Sequence, residues 1–332
     1  MRATGIGSLP GEDYAEATRT VLGELTGDHG LPHVPELPAR GASAAMVGRA
    51  LGVLGELDAD LQPAGWRLTG TSGAPGVDQR RARSLLAQDL DTLEELAEGY
   101  AGGFKVQVTG PWTLAATVER PRGDKLVADH GARRDLAQAL AEGVRGHLRD
   151  VRRRLPGATR LVVQVDEPAL AAVLGGRVPT ASGFGRHRAV DRPELSDTLG
   201  WVLAGIAEEG GEPWVHSCAP GTPLDLVRST GAAGIAVDLA TLSAADHDQL
   251  AEMLEAGGTV ALGAVPSLEP QQPPTDQQVT ERVLRWLDML GLDPDDVADR
   301  MLLTPACGLA GAGSDWARRS IELVRSAAAS LS

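Results

Sequence analysis

Cysteine is scarce in this chain of 332 residues, which contains only Cys218 and Cys307. The chain also lacks an apolar run of about 18 residues, the length that a membrane-spanning helix requires. Its N-terminus, "MRATGIGSLPG", lacks the apolar stretch of a signal peptide. We therefore expect a cytoplasmic protein. A structural disulfide is disfavoured in that reducing compartment, so the two thiols are expected to be buried, reactive or bound to a metal.

Lysine is almost absent as well, with Lys105 and Lys125 as its only examples, and acidic residues are in excess, giving a formal net charge of −14. Nucleic acids and anionic membranes require a clustered basic face, so this charge argues against both as partners. The one basic cluster, "RGHLRDVRRRLPG" at residues 145–157, is typical of the solvated face of a helix.

A dinucleotide-binding fingerprint is missing too, because "GIGSLPG" lacks the third glycine of G-x-G-x-x-G and the later acidic residue. Eight short apolar runs are present instead, and amphipathic helical patterns lie between them. The runs are 3–8, 32–37, 104–110, 160–167, 213–218, 234–239, 259–265 and 300–307. This alternation predicts an α/β protein, a single (β/α)8 TIM barrel over residues 1–332. Residues 38–83 are too many for a loop and predict an extra helix and hairpin.

Ionisable residues stand at the ends of these runs. The strands of a parallel barrel deliver their last residues to one face, so these side chains are expected to meet there. They are Glu36, Asp166, Glu167, His216, Cys218, Asp238 and Cys307.

The spacing of His216 and Cys218 puts both side chains on the same side of a strand, where they can share a metal ion. The tripeptide alone favours a simpler interpretation, a buried cysteine beside a satisfied histidine. Cys307, the second cysteine, also ends a strand run, in the turn "TPACGLAG", and reverses that preference. With one carboxylate, the three residues form a tetrahedral set that suits Zn²⁺. Two thiolates and a carboxylate make zinc a poor activator of water, but a bound thiol substrate would stay nucleophilic.

Five motifs resemble, in order, those of the catalytic half of cobalamin-independent methionine synthase. They are "GIGSLP" near the N-terminus, "VTGPWTLA" at 108–115, "VVQVDEPAL" at 162–170, "VHSCAP" at 215–220 and "LTPACGLAG" at 303–311. The resemblance implies a zinc-dependent methyltransferase that acts on a small thiol, homocysteine, to give methionine. It makes His216, Cys218 and Cys307 zinc ligands and places Asp238 where the family has glutamate.

The resemblance also implies a substrate site. Asp166 matches the acid that binds the homocysteine ammonium, and Gly7 and Ser8 match the loop that receives the carboxylate. Glu36 matches a second acid that clamps the amino group, and Trp112 lies in the motif that faces folate.

Two departures from the family concern the methyl donor. The full family enzyme has a second barrel that is absent here, so the chain resembles a core-only form. The family's histidine after the seventh strand, a proton donor, is also missing, and Glu269 is the ionisable residue in that segment, "GAVPSLEPQQPP". The donor is therefore left open between methyltetrahydrofolate and a protein that carries methylcobalamin.

Alternative interpretations remain at this stage. One is a corrinoid-dependent thiol methyltransferase on the same barrel, and another is a non-catalytic relative that retains zinc. Asp166, Glu167 and Pro168 could also simply cap a strand-to-helix turn. We favour a site role for Asp166 and a capping role for Glu167. The remaining six histidines are interpreted as surface or structural residues: His29, His33, His130, His147, His187 and His247.

Overall fold

The computed structural model describes residues 1–70 and 75–331. The strands are β1 (Arg2–Ala3), β2 (Asp58–Gln62), β3 (Gly65–Gly70), β4 (Gly102–Thr109), β5 (Ala158–Asp166), β6 (Glu212–Ser217), β7 (Gly234–Asp238), β8 (Thr259–Val265) and β9 (Met301–Pro305). The helices are α1 (Tyr14–Leu25), α2 (Met46–Val53), α3 (Val77–Leu96), α4 (Pro111–Thr117), α5 (His130–Arg154), α6 (Leu170–Leu174), α7 (Arg192–Glu208), α8 (Leu224–Ser229), α9 (Ala244–Glu255), α10 (Asp276–Leu290), α11 (Pro294–Val297) and α12 (Ser314–Ser330). Each of these helices is too short or too polar to cross a bilayer.

Seven of the strands form one curled sheet in the order β1, β9, β8, β7, β6, β5, β4, and every pairing in it is parallel. Helices connect the successive strands, as parallel pairing requires. The predicted alternation of strands and helices in an α/β fold is thereby confirmed.

The second predicted run, residues 32–37, forms no regular strand. It makes isolated parallel bridges on both sides, from His33 to Lys105 of β4 and from Glu36 to Ser8. Pro32 and Pro35 explain the irregularity, because proline has no N–H to donate to a ladder of hydrogen bonds.

A small apolar cluster fills the inside of the curled sheet, separate from the main core. Five of its members lie on β5 to β9, and the other two, Ile6 and Leu31, lie near the N-terminus. The cluster consists of Ile6, Leu31, Val162, Trp214, Ala236, Ala261 and Leu302. On β6, His216 follows Trp214 by two residues, so the polar residues of the strand ends begin one layer above this cluster.

The segment 38–83 contains α2, the antiparallel hairpin of β2 and β3, and the start of α3. Its residues 71–74 lie outside the described residues. The hairpin contacts the chain just after α4, where Leu68 N donates to Glu119 O at 2.8 Å and Glu119 N donates to Trp66 O at 2.9 Å.

Candidate metal centre

His216, Cys218 and Cys307 come together at the carboxyl ends of the strands. His216 lies on β6, Cys218 follows that strand directly, and Cys307 lies two residues beyond β9. One ring nitrogen of His216 and the two sulfur atoms all lie within 4.8 Å of one another. Three residues from two distant parts of the sequence thus offer one nitrogen and two sulfur atoms to a common point.

Gly263 on β8 makes room for the turn that carries Cys307. A Cβ atom at this position would lie 2.8 Å from Ala306 Cα and 2.8 Å from Val237 O, closer than real side chains approach backbone atoms. The pairing of β8 with β9 also shifts register between Gly263 and Val265. The missing side chain and the register shift let the chain after β9 approach β7 and β8 closely.

Asp166 orients His216. Its Oδ1 lies 2.7 Å from His216 Nδ1, and both side chains are buried. His216 Nε2 is buried too and has no hydrogen-bond partner within residues 1–70 and 75–331. Because Nδ1 is engaged, Nε2 is the nitrogen that faces the two sulfur atoms. A buried nitrogen without a partner beside two thiols fits a bound metal ion, and this donor set suits zinc.

The pKa values of these three residues depend strongly on one another. The hydrogen bond from Cys218 lowers the pKa of Cys307, with a further contribution from His216, and the same thiol pair raises the pKa of Cys218. Burial lowers the pKa of His216, but Asp166 and Cys307 outweigh it and raise that pKa to about 9. These shifts favour a protonated Cys218 and His216 beside a deprotonated Cys307.

Asp238, the predicted fourth ligand, ends β7 beside the cluster. Its carboxylate is not among the atoms that lie within 4.8 Å of one another. Instead, Asp238 Oδ1 accepts a hydrogen bond from Ala240 N at 2.9 Å and caps the turn that follows. Burial raises the pKa of Asp238, and Cys307 raises it further, so the carboxylate and this thiol lie near each other.

Ser8 lies against the turn of Cys307, and Gly7, which precedes it, accepts a hydrogen bond from Glu36 N at 3.1 Å through its carbonyl oxygen. Ser8 O accepts a hydrogen bond from Leu309 N at 2.8 Å, and a Cβ on Gly308 would lie 2.1 Å from Ser8 Oγ. The predicted carboxylate-binding loop therefore lies beside the metal centre.

Glu36, the predicted second acid, is buried and paired. Its Oε1 lies 3.3 Å from Arg49 Nε, and Arg49 Nη1 donates to Asp89 at 2.9 Å. Burial raises the pKa of Glu36; Arg49 opposes the rise, and the negative charge of Asp166 adds to it. The two predicted ammonium-binding carboxylates are therefore close enough to repel each other.

Trp112 and Glu269 are not brought into the cluster. Trp112 is fully buried, and its indole Nε1 donates to Leu195 O at 3.0 Å, so it does not reach a surface that substrate could contact. Glu269 is exposed in the loop after β8. Glu167 caps a helix, but the helix is α4: its carboxylate accepts hydrogen bonds from Trp112 N and Thr113 N at 2.8 and 2.7 Å.

Lys105 and Gln164 are site residues that the sequence analysis missed. Lys105 is fully buried, and its Nζ donates to Ile6 O at 2.9 Å and Gln164 Oε1 at 2.8 Å. Gln164 Nε2 in turn donates to Asp166 Oδ1 at 2.7 Å. The available signal was a lysine in the middle of the apolar strand "FKVQV", in a chain that has only two lysines.

A curled parallel sheet with ionisable side chains gathered at its carboxyl ends is the arrangement of a TIM-barrel-like enzyme. Comparison with known families is more specific. Residues 103–330 match the family model described as "Cobalamin-independent synthase, Catalytic domain". The chain belongs to this family, as its motifs predicted, and it is a methyltransferase.

One solved structure supports the fold. A B12-independent methionine synthase from Shewanella sp. W3-18-1, in complex with selenomethionine, is 14% identical, with 99% of this chain and 96% of that chain covered and a TM-score of 0.59. At this identity the likeness shows the fold alone. A GH5_18 protein from Streptomyces cattleya, in complex with GlcNAc, is 17% identical over 99% of this chain and 79% of that chain, but its TM-score of 0.46 is too low to support an argument. No curated protein sequence matches the chain.

Proposed function

We propose that the chain transfers a methyl group to the sulfur of homocysteine, giving methionine, at a zinc ion held by His216, Cys218 and Cys307. The observation that carries the proposal is the approach of these three ligand atoms to within 4.8 Å, with the buried His216 Nε2 lacking a partner among the described residues. Asp238 is proposed as the fourth ligand, which requires its carboxylate to turn away from Ala240 N.

Zinc bound there would lower the pKa of a coordinated thiol and so supply a thiolate nucleophile at neutral pH. The protein's part is to hold the substrate so that its sulfur meets that position. Both contacts of Asp166 with neighbouring side chains use Oδ1, so we assign the substrate ammonium to Oδ2. Glu36 would receive the same ammonium from the other side, and Gly7 and Ser8 would receive the carboxylate. A charge-assisted pair in such a buried place also selects an amino-acid thiol over a simple thiol.

The reaction forms a bond between sulfur and the methyl carbon and breaks the bond between that carbon and the donor, which keeps the electron pair. The thiol proton leaves when substrate binds. The donor is proposed to be methyltetrahydrofolate or a methylcobalamin-carrying protein, with Glu269 as the proposed acid on the donor side and Trp112 supporting that side from the core. A cytoplasmic location stays a prediction.

The segment 32–37 is proposed to serve as the eighth strand, so that residues 1–332 form a single closed barrel. Its support is the pair of bridges from His33 to Lys105 and from Ser8 to Glu36, which link the first run to β4. In this arrangement Glu36 faces the same end of the barrel as His216.

The test measures zinc and product separately. Purified without chelator, the wild-type protein should contain one zinc per chain by mass spectrometry, and Cys307→Ser and His216→Gln should contain far less. His130→Gln is the matched control, because His130 is exposed and pairs with Glu194. Homocysteine is then supplied with each donor in turn and methionine is measured. Equal zinc in all four proteins would contradict the site, and zinc binding without methionine from either donor would contradict the reaction.

A further inference from the structure

A row of buried polar side chains runs from Lys105 through Gln164 and Asp166 to His216, and we call it the polar row. Three short contacts link its members: 2.8 Å from Lys105 Nζ to Gln164 Oε1, 2.7 Å from Gln164 Nε2 to Asp166 Oδ1, and 2.7 Å from Asp166 Oδ1 to His216 Nδ1. The exposed fractions of the four residues are 0%, 1%, 7% and 4%. Water therefore does not compete for these hydrogen bonds, and a wrongly directed donor would be costly.

The direction of every hydrogen bond in the polar row is fixed by chemistry. Lys105 Nζ contacts two oxygen atoms, Ile6 O and Gln164 Oε1, so it donates to both. The amide of Gln164 then turns its Nε2 towards Asp166 Oδ1 and Ile6 O, at 2.7 and 2.9 Å. The reverse orientation would place the amide oxygen against a carboxylate oxygen and a carbonyl oxygen, with the amide nitrogen against the amine.

As a carboxylate, Asp166 has only acceptor oxygens, so its Oδ1 accepts from Gln164 Nε2 and also from His216. His216 Nδ1 must then carry a proton to make the 2.7 Å contact. A neutral imidazole protonated at Nδ1 has its lone pair on Nε2. This is the nitrogen that faces Cys218 and Cys307.

We infer that Lys105 is a positioning residue for the metal centre, which acts through Gln164 and Asp166 to fix the proton of His216 on Nδ1 and to leave Nε2 for the metal. The inference rests on the proposed zinc site, but it does not depend on methyl transfer. It also accounts for a lysine inside the sheet, where a charge is costly unless it is paired.

The acidic surroundings of Lys105 support this role. Burial lowers its pKa to about 7, while Asp166 and Glu36 act in the opposite direction. Both the charged and the neutral amine can donate to the two oxygen atoms that face it, so the direction of the polar row is kept in either form. Lys125 offers a contrast: its Nζ donates to Thr117 O at 3.0 Å, away from His216.

The first experiment uses the wild-type protein labelled with ¹⁵N-histidine and loaded with Zn²⁺. We expect NMR to show His216 with its proton on Nδ1 and the metal on Nε2, the signals being assigned by their loss in His216→Gln. Metal on Nδ1 would overturn the inference without any further variant.

The second experiment measures the dissociation constant for Zn²⁺ by competition with a chelator, with neither homocysteine nor methyl donor present. Lys105→Met should weaken zinc binding about 10-fold or more, since residues that orient metal ligands typically contribute 10- to 100-fold. Lys125→Met, the same substitution at the only other lysine, should leave the constant unchanged. Gln164→Glu tests the polar row without leaving Lys105 unpaired, because it keeps an acceptor for Lys105 and replaces the donor to Asp166 by a second acceptor. It should weaken zinc binding to a similar extent and shift the Nδ1 signal of His216.

If Lys105→Met does not fold, Gln164→Glu and the wild-type spectrum decide the question. Unchanged zinc affinity in folded Lys105→Met or in folded Gln164→Glu would refute this inference alone. A wild-type protein that binds no zinc would refute the proposed site and the inference together. Zinc binding that responds as expected, but without methionine formation, would refute only the proposed reaction.

Discussion

Replacing Asp166 by Asn should separate two functions of one carboxylate. Asn keeps the shape of the side chain, and its Oδ1 can still accept from His216 Nδ1 and Gln164 Nε2, which both contact Oδ1 in the structure. Its Nδ2 replaces Oδ2, however, and carries hydrogen atoms instead of negative charge. The proposed contact with the substrate ammonium is thus removed, while the support of His216 is only weakened.

The magnitudes follow from these contacts. A hydrogen bond to a charged group contributes about 1.5–3 kcal/mol, so the dissociation constant for homocysteine should rise about 10- to 150-fold. The zinc dissociation constant should rise by less than the homocysteine constant and by no more than about 10-fold, the lower end of the range for residues behind a metal ligand. The effect on zinc binding is smaller because Oδ1 of the substituted Asn still accepts both hydrogen bonds, although it no longer carries a negative charge.

Calorimetric titration of homocysteine into protein saturated with zinc measures the first constant, and chelator competition measures the second. Asp135→Asn is the control, because Asp135 is an exposed acid that pairs with Arg134 on the outer face of α5. Unchanged homocysteine affinity in Asp166→Asn would show that Asp166 only supports His216. An equal loss of both affinities would show that the substrate effect is secondary to the metal.

Four further outcomes are expected. Glu167→Gln places an NH₂ group where Oε2 accepts from Thr113 N and Oγ1, so the free energy of unfolding should fall by about 1–3 kcal/mol in urea titrations at about pH 5. No change at that pH would show that the cap of α4 is dispensable. Burial raises the pKa of Glu167 from 4.5 to about 7. The contribution of this carboxyl group to stability is therefore full below about pH 4.5 and is lost as the pH rises through about 7. Between about pH 5 and 8 the wild type should lose more stability than Glu167→Gln, and parallel pH profiles would contradict the shift. Gly263→Ala should reduce both stability, by about 1–3 kcal/mol, and zinc content, because its Cβ would meet Ala306 Cα at 2.8 Å; normal zinc content would show that the turn of Cys307 can shift freely. Homocysteine binding should release about one proton near neutral pH, because a free thiol has a pKa of about 8.5 and is mostly protonated there, whereas a metal-bound thiol is not. Calorimetry in buffers of different ionisation enthalpy should detect this proton, and no release would mean that the thiol is not activated.

The alternation of elements and the family could be predicted because both depend on local patterns. The strand-end positions of His216, Cys218 and Cys307 likewise follow from where each apolar run stops. The contact between Asp166 and His216 could not be predicted, because it depends on the register of β5 against β6, in which these two residues are direct partners. Sequence spacing within one strand contains no information on the register between two strands.

Other differences arise from contacts between distant segments. Glu167 was expected to cap its own turn, but the free N–H groups at the start of α4 lie within reach and bind the carboxylate instead. Trp112 lies in the first turn of α4 and packs its ring into the core, where its Nε1 donates to Leu195 O of α7. The irregular segment 32–37 was predictable in part, because Pro32 and Pro35 are visible in the sequence and argue against a regular strand.

The isolated bridges of the segment 32–37 have a consequence for motion. The segment, which we call the seam, is joined to its neighbours by isolated bridges and not by a continuous ladder, and two of its residues have no amide proton. We expect local opening of the seam to require less free energy than unfolding of the continuous ladders on β4 to β9. Glu36 lies on the seam and His216 lies on a continuous ladder. We therefore expect the continuous ladder to keep the proposed metal ligands in place, and the seam to be the part of the wall that opens when the proposed amino-acid substrate enters or leaves.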